Sequence, residues 1–438
     1  MKAPAESAAA PRASAPAAAQ PAPEARVRHG GVDAATAWRV LALFALGYFI
    51  SYVYRAINVG LAPALTTEMG LSAADLGMLT GIYYLAFAVV QMPAGILIDT
   101  YGPRRVNALM MIIAAAGTVV FGLAQGYVGL MAGRILIGIG VAVCLGAAFK
   151  ALAGVFPLSR LPLVNGLVMA VGGLGGVVVG TPLAELLRFT DWRMVSVALA
   201  VPTLLVALGI WLGTRTSEPE AAHRPDLAAQ IQGTWEILGN GRFWQAVSLP
   251  VMTCGAFYAM QTLWLAPWLR DVEGLSPERT AGMVSVLGLA MVAGNVILGG
   301  AARYVERFGL TLYRFAGLCM LLFLGVQALV LLRAPIPDVL LWAAYGLLGS
   351  GSILAYAIMA ERFSHAMLGR AGTTLTLLTF LLIFGCQVGI GWMLSLWDTL
   401  PDGRYPVEAH LSAWGVVLAL QVATAVWYWW PTASVKHQ

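Results

Sequence analysis

Charge is what this sequence has least of. Of its 438 residues only 11% are charged while 59% are hydrophobic, and the mean hydropathy is strongly positive. A water-soluble domain of this length cannot cover its surface with so little charge, so lipid is the solvent expected for most side chains. Cysteine is scarce too: Cys144, Cys254, Cys319 and Cys386 all fall in apolar segments, without a Cys-x-x-Cys spacing. They read as small core residues, neither disulfides nor metal ligands. The five histidines are scattered, so no metal site and no cofactor are expected. No glycine-rich phosphate loop sits between a strand and a helix, which argues against an ATPase. The net charge of +5 comes from basic residues at the ends of apolar runs. These report membrane topology and form no stripe for nucleic acid.

What is present is a succession of apolar runs, each near the roughly 20 residues that a bilayer crossing needs. Residues 1–37 are rich in Ala and Pro and lack an apolar core of signal-peptide type, so they read as a disordered cytoplasmic tail. Six spans follow within 38–213: Trp38–Gly60, Ala73–Ile98, Val106–Ala124, Tyr127–Phe156, Leu163–Leu187 and Met194–Gly213. The polar stretch 214–241, with Glu218, Glu220, Arg224, Asp226 and Glu236, is expected to be a cytoplasmic loop between two halves. Residues 242–431 hold the second six: Phe243–Trp268, Glu278–Ala302, Leu312–Leu332, Asp338–Ala360, Arg370–Trp397 and Leu411–Trp430. Residues 432–438 form a short tail, and Trp427, Trp429 and Trp430 suit an interfacial aromatic belt. With the N-terminus inside, about 17 Lys and Arg residues are cytoplasmic and about 6 external, with Arg55, Arg134 and Lys150 within spans. Both termini are therefore expected on the cytoplasmic side.

Between spans two and three runs Gly95-Ile-Leu-Ile-Asp99-Thr-Tyr-Gly102-Pro-Arg104-Arg105. Gly102 offers the backbone freedom for a tight turn and Pro103 stops the preceding helix. Arg104 and Arg105 suit phospholipid headgroups, and Asp99 is placed to face the N-terminus of another helix. An echo follows span eight, where Glu306-Arg-Phe-Gly309 repeats the acid–glycine spacing without the arginine pair. The first stretch resembles the loop signature of the major facilitator superfamily. The resemblance implies an all-α membrane fold of twelve helices in two six-helix halves, which rock about a midplane cavity. It also implies a gating role for Asp99 and Glu306. Gly133-Arg134-x-x-x-Gly138-x-Gly140 resembles the superfamily's helix-4 motif, in which an arginine approaches helix 1 and tunes its site. Gly172, Gly176, Gly180, Thr181 and Pro182 resemble a degenerate antiporter-branch signature, and better suit a small-residue packing face.

Arg55 lies roughly 20 Å along helix 1, well inside its apolar run, where a charge must face a polar cavity or a partner. Tyr48, Ser51, Tyr52 and Asn58 stand at helical spacing on its side. Lys150 is the one lysine outside the tails. It reads either as an ammonium that binds an anion or takes part in a proton step, or as an interfacial lysine reaching the cytoplasmic surface. In the second half, Tyr258, Gln261 and Trp264 recur on helix 7, and Tyr356 and Gln387 offer further polar groups to a cavity. Helices 1, 4, 7 and 10 carry no mid-span Asp or Glu. Beside two buried cations, that absence favours an anionic substrate.

The run Ser51-Tyr-Val-Tyr-Arg55-Ala-Ile-Asn58 resembles the organophosphate–phosphate antiporter and anion–cation symporter branches, where it places Arg55 at the anion-binding arginine. Lys150 falls where the organophosphate carriers have a substrate-contacting histidine. Their second arginine falls near Ala259, so a symmetric phosphate clamp is absent. The expected function is non-enzymatic: a secondary transporter, antiporter or symporter, of a small organic anion in a bacterial inner membrane. Its expected partners are lipid, the substrate and a coupling proton or counter-anion, and it is expected to work as a monomer. A proton-driven exporter of a larger metabolite, such as a siderophore or drug, is the alternative. A membrane sensor with a transporter fold is the third reading.

Overall fold

Long apolar stretches punctuated by good capping residues become a helical bundle. The computed structural model describes residues 33–215, 227–302, 304–362 and 365–431, and among these there is no strand. Twelve membrane helices are arranged as two halves. The first half comprises α1 (Ala34–Met69), α2 (Ala73–Tyr101), α3 (Pro103–Leu123), α4 (Tyr127–Ala153), α5 (Leu161–Val178, continued by the turn Thr181–Leu186) and α6 (Trp192–Gly213). The second half begins with α7, built from Gly241–Ala259, a π-helical turn Met260–Trp264, and Leu265–Asp271. It continues with α8 (Pro277–Ala301), α9 (Leu312–Leu331), α10 (Asp338–Gly349, extended through Leu354–Arg362), α11 (His365–Leu394) and α12 (Val407–Trp429). Eleven of the described helices are long and apolar enough to cross a bilayer; α7 is the divided one.

Local chemistry sets the boundaries. Ser72 and Asp75 form a reciprocal capping box at the start of α2, with Asp75 Oδ2 accepting from the Ser72 N–H at 3.0 Å. Asn240, Ser276 and Thr311 cap α7, α8 and α9 with their side-chain oxygens. The turn glycines Gly102 and Gly309 have φ of 83° and 72°, a region that costs other residues strain. The acid–glycine repeat thus shares a positive-φ glycine in both halves, although Asp99 lies at the end of an α-helix and Glu306 in a 3-10 turn.

Several expected boundaries change. α1 runs nine residues past Gly60 to Met69, and it is interrupted at Ile57. Pro103 opens α3 at its first position, where its missing N–H costs nothing; it starts the next helix rather than only stopping the last. The expected central loop contains a helix, Leu227–Leu238, which packs against α11 and α2. Glu218, Glu220, Arg224 and Asp226 lie outside the described residues, as do most of the N-terminal tail and residues 432–438. Trp427, Trp429 and Trp430 are all exposed at the end of α12, as an interfacial belt requires. The cysteines are free, three buried and Cys254 half-buried.

The halves meet chiefly through α2 against α11 and α5 against α8, with α1 against the π turn of α7. Toward the end of the bundle away from the Gly95–Arg105 turn, the far face, backbones touch. A Cβ on Gly77 would lie 2.5 Å from the Gln387 carbonyl oxygen, and one on Gly180 2.7 Å from that of Ala281. At the motif face, which carries the Gly95–Arg105 turn, and again at the far face, a cavity lies between the halves. The four helices touch backbone to backbone in the layer between the two cavities.

Candidate functional site

A cavity of about 570 Å³ lies between the halves, on the motif-face side of this tight contact. α1 supplies Tyr48, Tyr52 and Arg55 to its wall, and α2 supplies Phe87 and Gln91. From the second half come Tyr258, Asn295, Tyr356, Thr376 and Phe380, among others. Among the described residues, Arg55 is the only Asp, Glu, Lys or Arg in the wall.

Arg55 is 6% exposed. Its guanidinium carbon lies 5.0 Å from the Tyr52 ring centroid, 5.5 Å from Phe87, 5.7 Å from Tyr258 and 5.5 Å from Phe380. Two of these rings belong to each half. No carboxylate of the described residues pairs with Arg55, and its Nε has no hydrogen-bond partner. Ring faces attract a cation by about 0.5–2 kcal/mol each, well short of a counter-charge in a desolvated place.

The position of Arg55 is held from α4. Arg134, 1% exposed, donates from Nη1 to the Tyr54 carbonyl at 2.9 Å, in the last turn before the interruption of α1. Its guanidinium also lies 5.3 Å from the Phe121 ring. Arg134 reaches helix 1 as the motif implied, and it does not line the cavity.

The other residues singled out from the sequence divide into groups. Tyr52, Tyr258 and Tyr356 line the cavity with Arg55, and the Tyr356 hydroxyl lies 2.9 Å from Thr376 Oγ1. Gln261 and Gln387 are buried in the layer that closes the halves and are not in the wall. Gln261 Nε2 donates to Met291 Sδ at 3.1 Å and Gln387 Nε2 to Thr262 Oγ1 at 2.9 Å. Asn58 does not share the face of Arg55; its Nδ2 donates to Thr80 Oγ1 at 2.8 Å in the α1–α2 contact. The interruption at Ile57 shifts the helical register between the two residues. Trp264 lies on the other side of the closing layer, in a second cavity of about 640 Å³ at the far face. The π turn displaces it from the helical spacing that aligned it with Tyr258 and Gln261.

Lys150 also stays out of the wall. Its ammonium forms an ion pair with Asp99, both side chains about one-third exposed (34% and 37%), at the motif-face ends of α4 and α2. Asp99 therefore faces a lysine of its own half rather than a helix N-terminus. Arg104 donates from Nη1 to the Trp211 carbonyl at 2.8 Å and lies 5.2 Å from that ring, tying α3 to α6. Gly95 borders the cavity with open space beside it. Arg105 is exposed in the first turn of α3. The side chain of Glu306 lies outside the described residues.

The glycines of α5 form a packing face. A Cβ on Gly176 would lie 3.3 Å from the Tyr52 ring, and one on Gly180 would meet Ser285 and Ala281 of α8. Wall residues that escaped the sequence reading include Phe87, Phe380, Gln91, Asn295 and Thr376. The aromatic pair has no sequence signal among so many apolar neighbours. Gln91 and Asn295 do, each being a lone amide inside an apolar run.

The family model of the Major Facilitator Superfamily matches residues 44–386. The chain is 24% identical over 319 residues to the "Probable sulfoacetate transporter SauU" of Cupriavidus necator, covering 68% of this chain and 72% of that one. It is 26% identical over 290 residues to the "Cephamycin export protein CmcT" of Amycolatopsis lactamdurans, covering 64% and 59%. The solved structure of the nucleoside transporter NupG superposes with a TM-score of 0.72 at 13% identity, over 90% of this chain and 98% of that one. That last likeness is one of fold.

Proposed function

Because this chain belongs to the Major Facilitator Superfamily, we propose that it is a secondary active transporter carrying a small organic anion by alternating access of its two halves. One observation carries the substrate class: the buried guanidinium of Arg55, with no carboxylate partner among the described residues, in the wall of the inter-half cavity. An ionised group in that setting is costly until a counter-charge arrives. A carboxylate, sulfonate or phosphate ester supplies it, through charge-assisted hydrogen bonds that a low-dielectric site strengthens. Hydroxyls of Tyr48, Tyr52 and Tyr258 and the amides of Gln91 and Asn295 then read the rest of the molecule. The resemblance to a protein named as a sulfoacetate transporter supports the same class.

The closed layer between the halves supports rocking: it separates the Arg55 cavity on the motif-face side from a second cavity at the far face. The excess of basic residues on the motif face supports a cytoplasmic position for it and for both termini. We read the protein as a monomer of a bacterial inner membrane.

Export of a larger metabolite is the second reading. The cavity volume exceeds what a two-carbon anion fills, its wall is rich in aromatic rings, and one relative is named as an exporter.

The test is thermal stabilisation of the purified protein, since a ligand stabilises only the state that binds it. The panel comprises short carboxylates, sugar acids, sulfonates and phosphate esters, against neutral sugars and amphipathic cations. Stabilisation by one anion class, absent in Arg55→Ala, supports the anion reading. Stabilisation by bulky neutral or cationic compounds alone overturns it in favour of export.

A further inference from the structure

At the far end of α7 lies a second buried cluster, which the anion site does not use. Asp271 and His410, from α7 and the first turn of α12, both have fully buried side chains. Asp271 accepts three hydrogen bonds. Oδ1 takes Arg270 Nε at 2.5 Å, while Oδ2 takes His410 Nε2 at 3.1 Å and the Tyr405 backbone N–H at 3.3 Å. A carboxylate held by Arg270 is acceptor-only, so His410 must carry its hydrogen on Nε2. In the neutral ring Nδ1 is then the lone-pair nitrogen, and it is buried without a partner.

The cluster is connected to the closure of the far face. Tyr405 borders the far-face cavity, as does Arg270. Its hydroxyl accepts from the Ala73 N–H of α2 at 3.2 Å, so one loop residue joins the Asp271 carboxylate to the opposite half. Tyr405 N–H is the longest of the three bonds to Asp271.

We propose that Asp271 and His410 form a proton-binding site that governs the far face, with His410 Nδ1 as the acceptor. A proton there makes the imidazole a cation and strengthens its claim on Oδ2. The bond from Tyr405 N–H is the one displaced, and the Tyr405–Ala73 contact between the halves loosens with it. Among the charged and titratable groups around the pair, Arg404 is paired with Asp402 at 2.5 Å, and Glu273, whose carboxyl is pushed above its ordinary value by burial, accepts from Trp268 Nε1 at 2.9 Å. The Trp268 ring stands edge-on to His410 at 5.9 Å. Glu408, also in the first turn of α12, is exposed.

This inference names a coupling ion for the transporter proposed above, and its test needs no substrate. A cysteine introduced by Ala184→Cys, in the wall of the far-face cavity, is labelled with a hydrophilic maleimide in the purified full chain. Its rate is taken relative to the same protein unfolded at the same pH, and as the increment over the chain lacking that cysteine. Going from about pH 8 to pH 5, the relative rate is expected to rise several-fold. In His410→Gln, which keeps an amide donor for Asp271, it should stay flat and low. In Tyr405→Phe, which removes the acceptor for Ala73, it should be high at every pH. Asp271→Asn serves as a second probe should His410→Gln fail to fold, and should also flatten the profile. A pH-independent rate with His410 present, or an unchanged profile in His410→Gln or Asp271→Asn, overturns the proposal. Neither result bears on anion binding at Arg55, which the stabilisation panel decides separately.

Discussion

Arg134 donates to the backbone carbonyl of Tyr54 at 2.9 Å, one residue before the arginine that lines the cavity. A buried cation on α4 thereby sets where α1 carries its own. Arg134→Met should leave that carbonyl without this donor, at a stability cost of about 1–3 kcal/mol. Anion affinity should fall along with it, although Arg134 touches no part of the cavity. Isothermal titration of the stabilising anion against wild type and variant checks this. Equal affinity in the two would remove Arg134 from any positioning role.

Arg55→Met separates binding from folding. The substitution relieves a buried charge that lacks a carboxylate partner, so the ligand-free protein should melt no lower than wild type. Stabilisation by the anion should vanish. A melting temperature that falls sharply without ligand would mean that the contacts of Arg55 with its tyrosine neighbours outweigh the cost of its missing carboxylate.

Asp99→Asn removes the Lys150 ion pair at the motif face. With both side chains about one-third exposed (34% and 37%), the pair is worth about 1 kcal/mol or less. Melting should therefore barely change, and anion affinity should hold, because neither residue borders the cavity. Flux into proteoliposomes should drop if this corner moves during the cycle. Wild-type flux would show that the pair is only a surface contact.

Gly77→Val places a branched side chain where even a Cβ would be 2.5 Å from the Gln387 carbonyl. The far face should no longer close, while the anion site keeps all of its residues. Cysteine labelling in the far-face cavity is expected to become fast and transport to stop. Normal transport in this variant would mean that α2 and α11 need not touch there.

Much of the architecture was legible because solvation is a property of composition. Long apolar runs with few charges must lie in lipid, and a backbone in lipid must satisfy itself as helix. Gly102 and Gly309 were legible as turn glycines three residues after Asp99 and Glu306, because a positive φ is cheap only for glycine. Arg55 was legible too, since a charge inside an apolar run needs a cavity wherever the helix goes.

Tertiary structure decided which polar residues reach that cavity. Helical spacing aligned Asn58 with Arg55 and Trp264 with Gln261, yet an interruption at Ile57 and a π turn at Met260–Trp264 turn them elsewhere. Such breaks come from packing between helices, and a count of residues along one helix cannot register them. Lys150 met the same limit: only the approach of α2 to α4 gave it Asp99 as a partner. The aromatic ring of Tyr52, Phe87, Tyr258 and Phe380 around Arg55 exists only once the halves close upon each other. Periodicity along the chain determined the helices; contact between them determined the site.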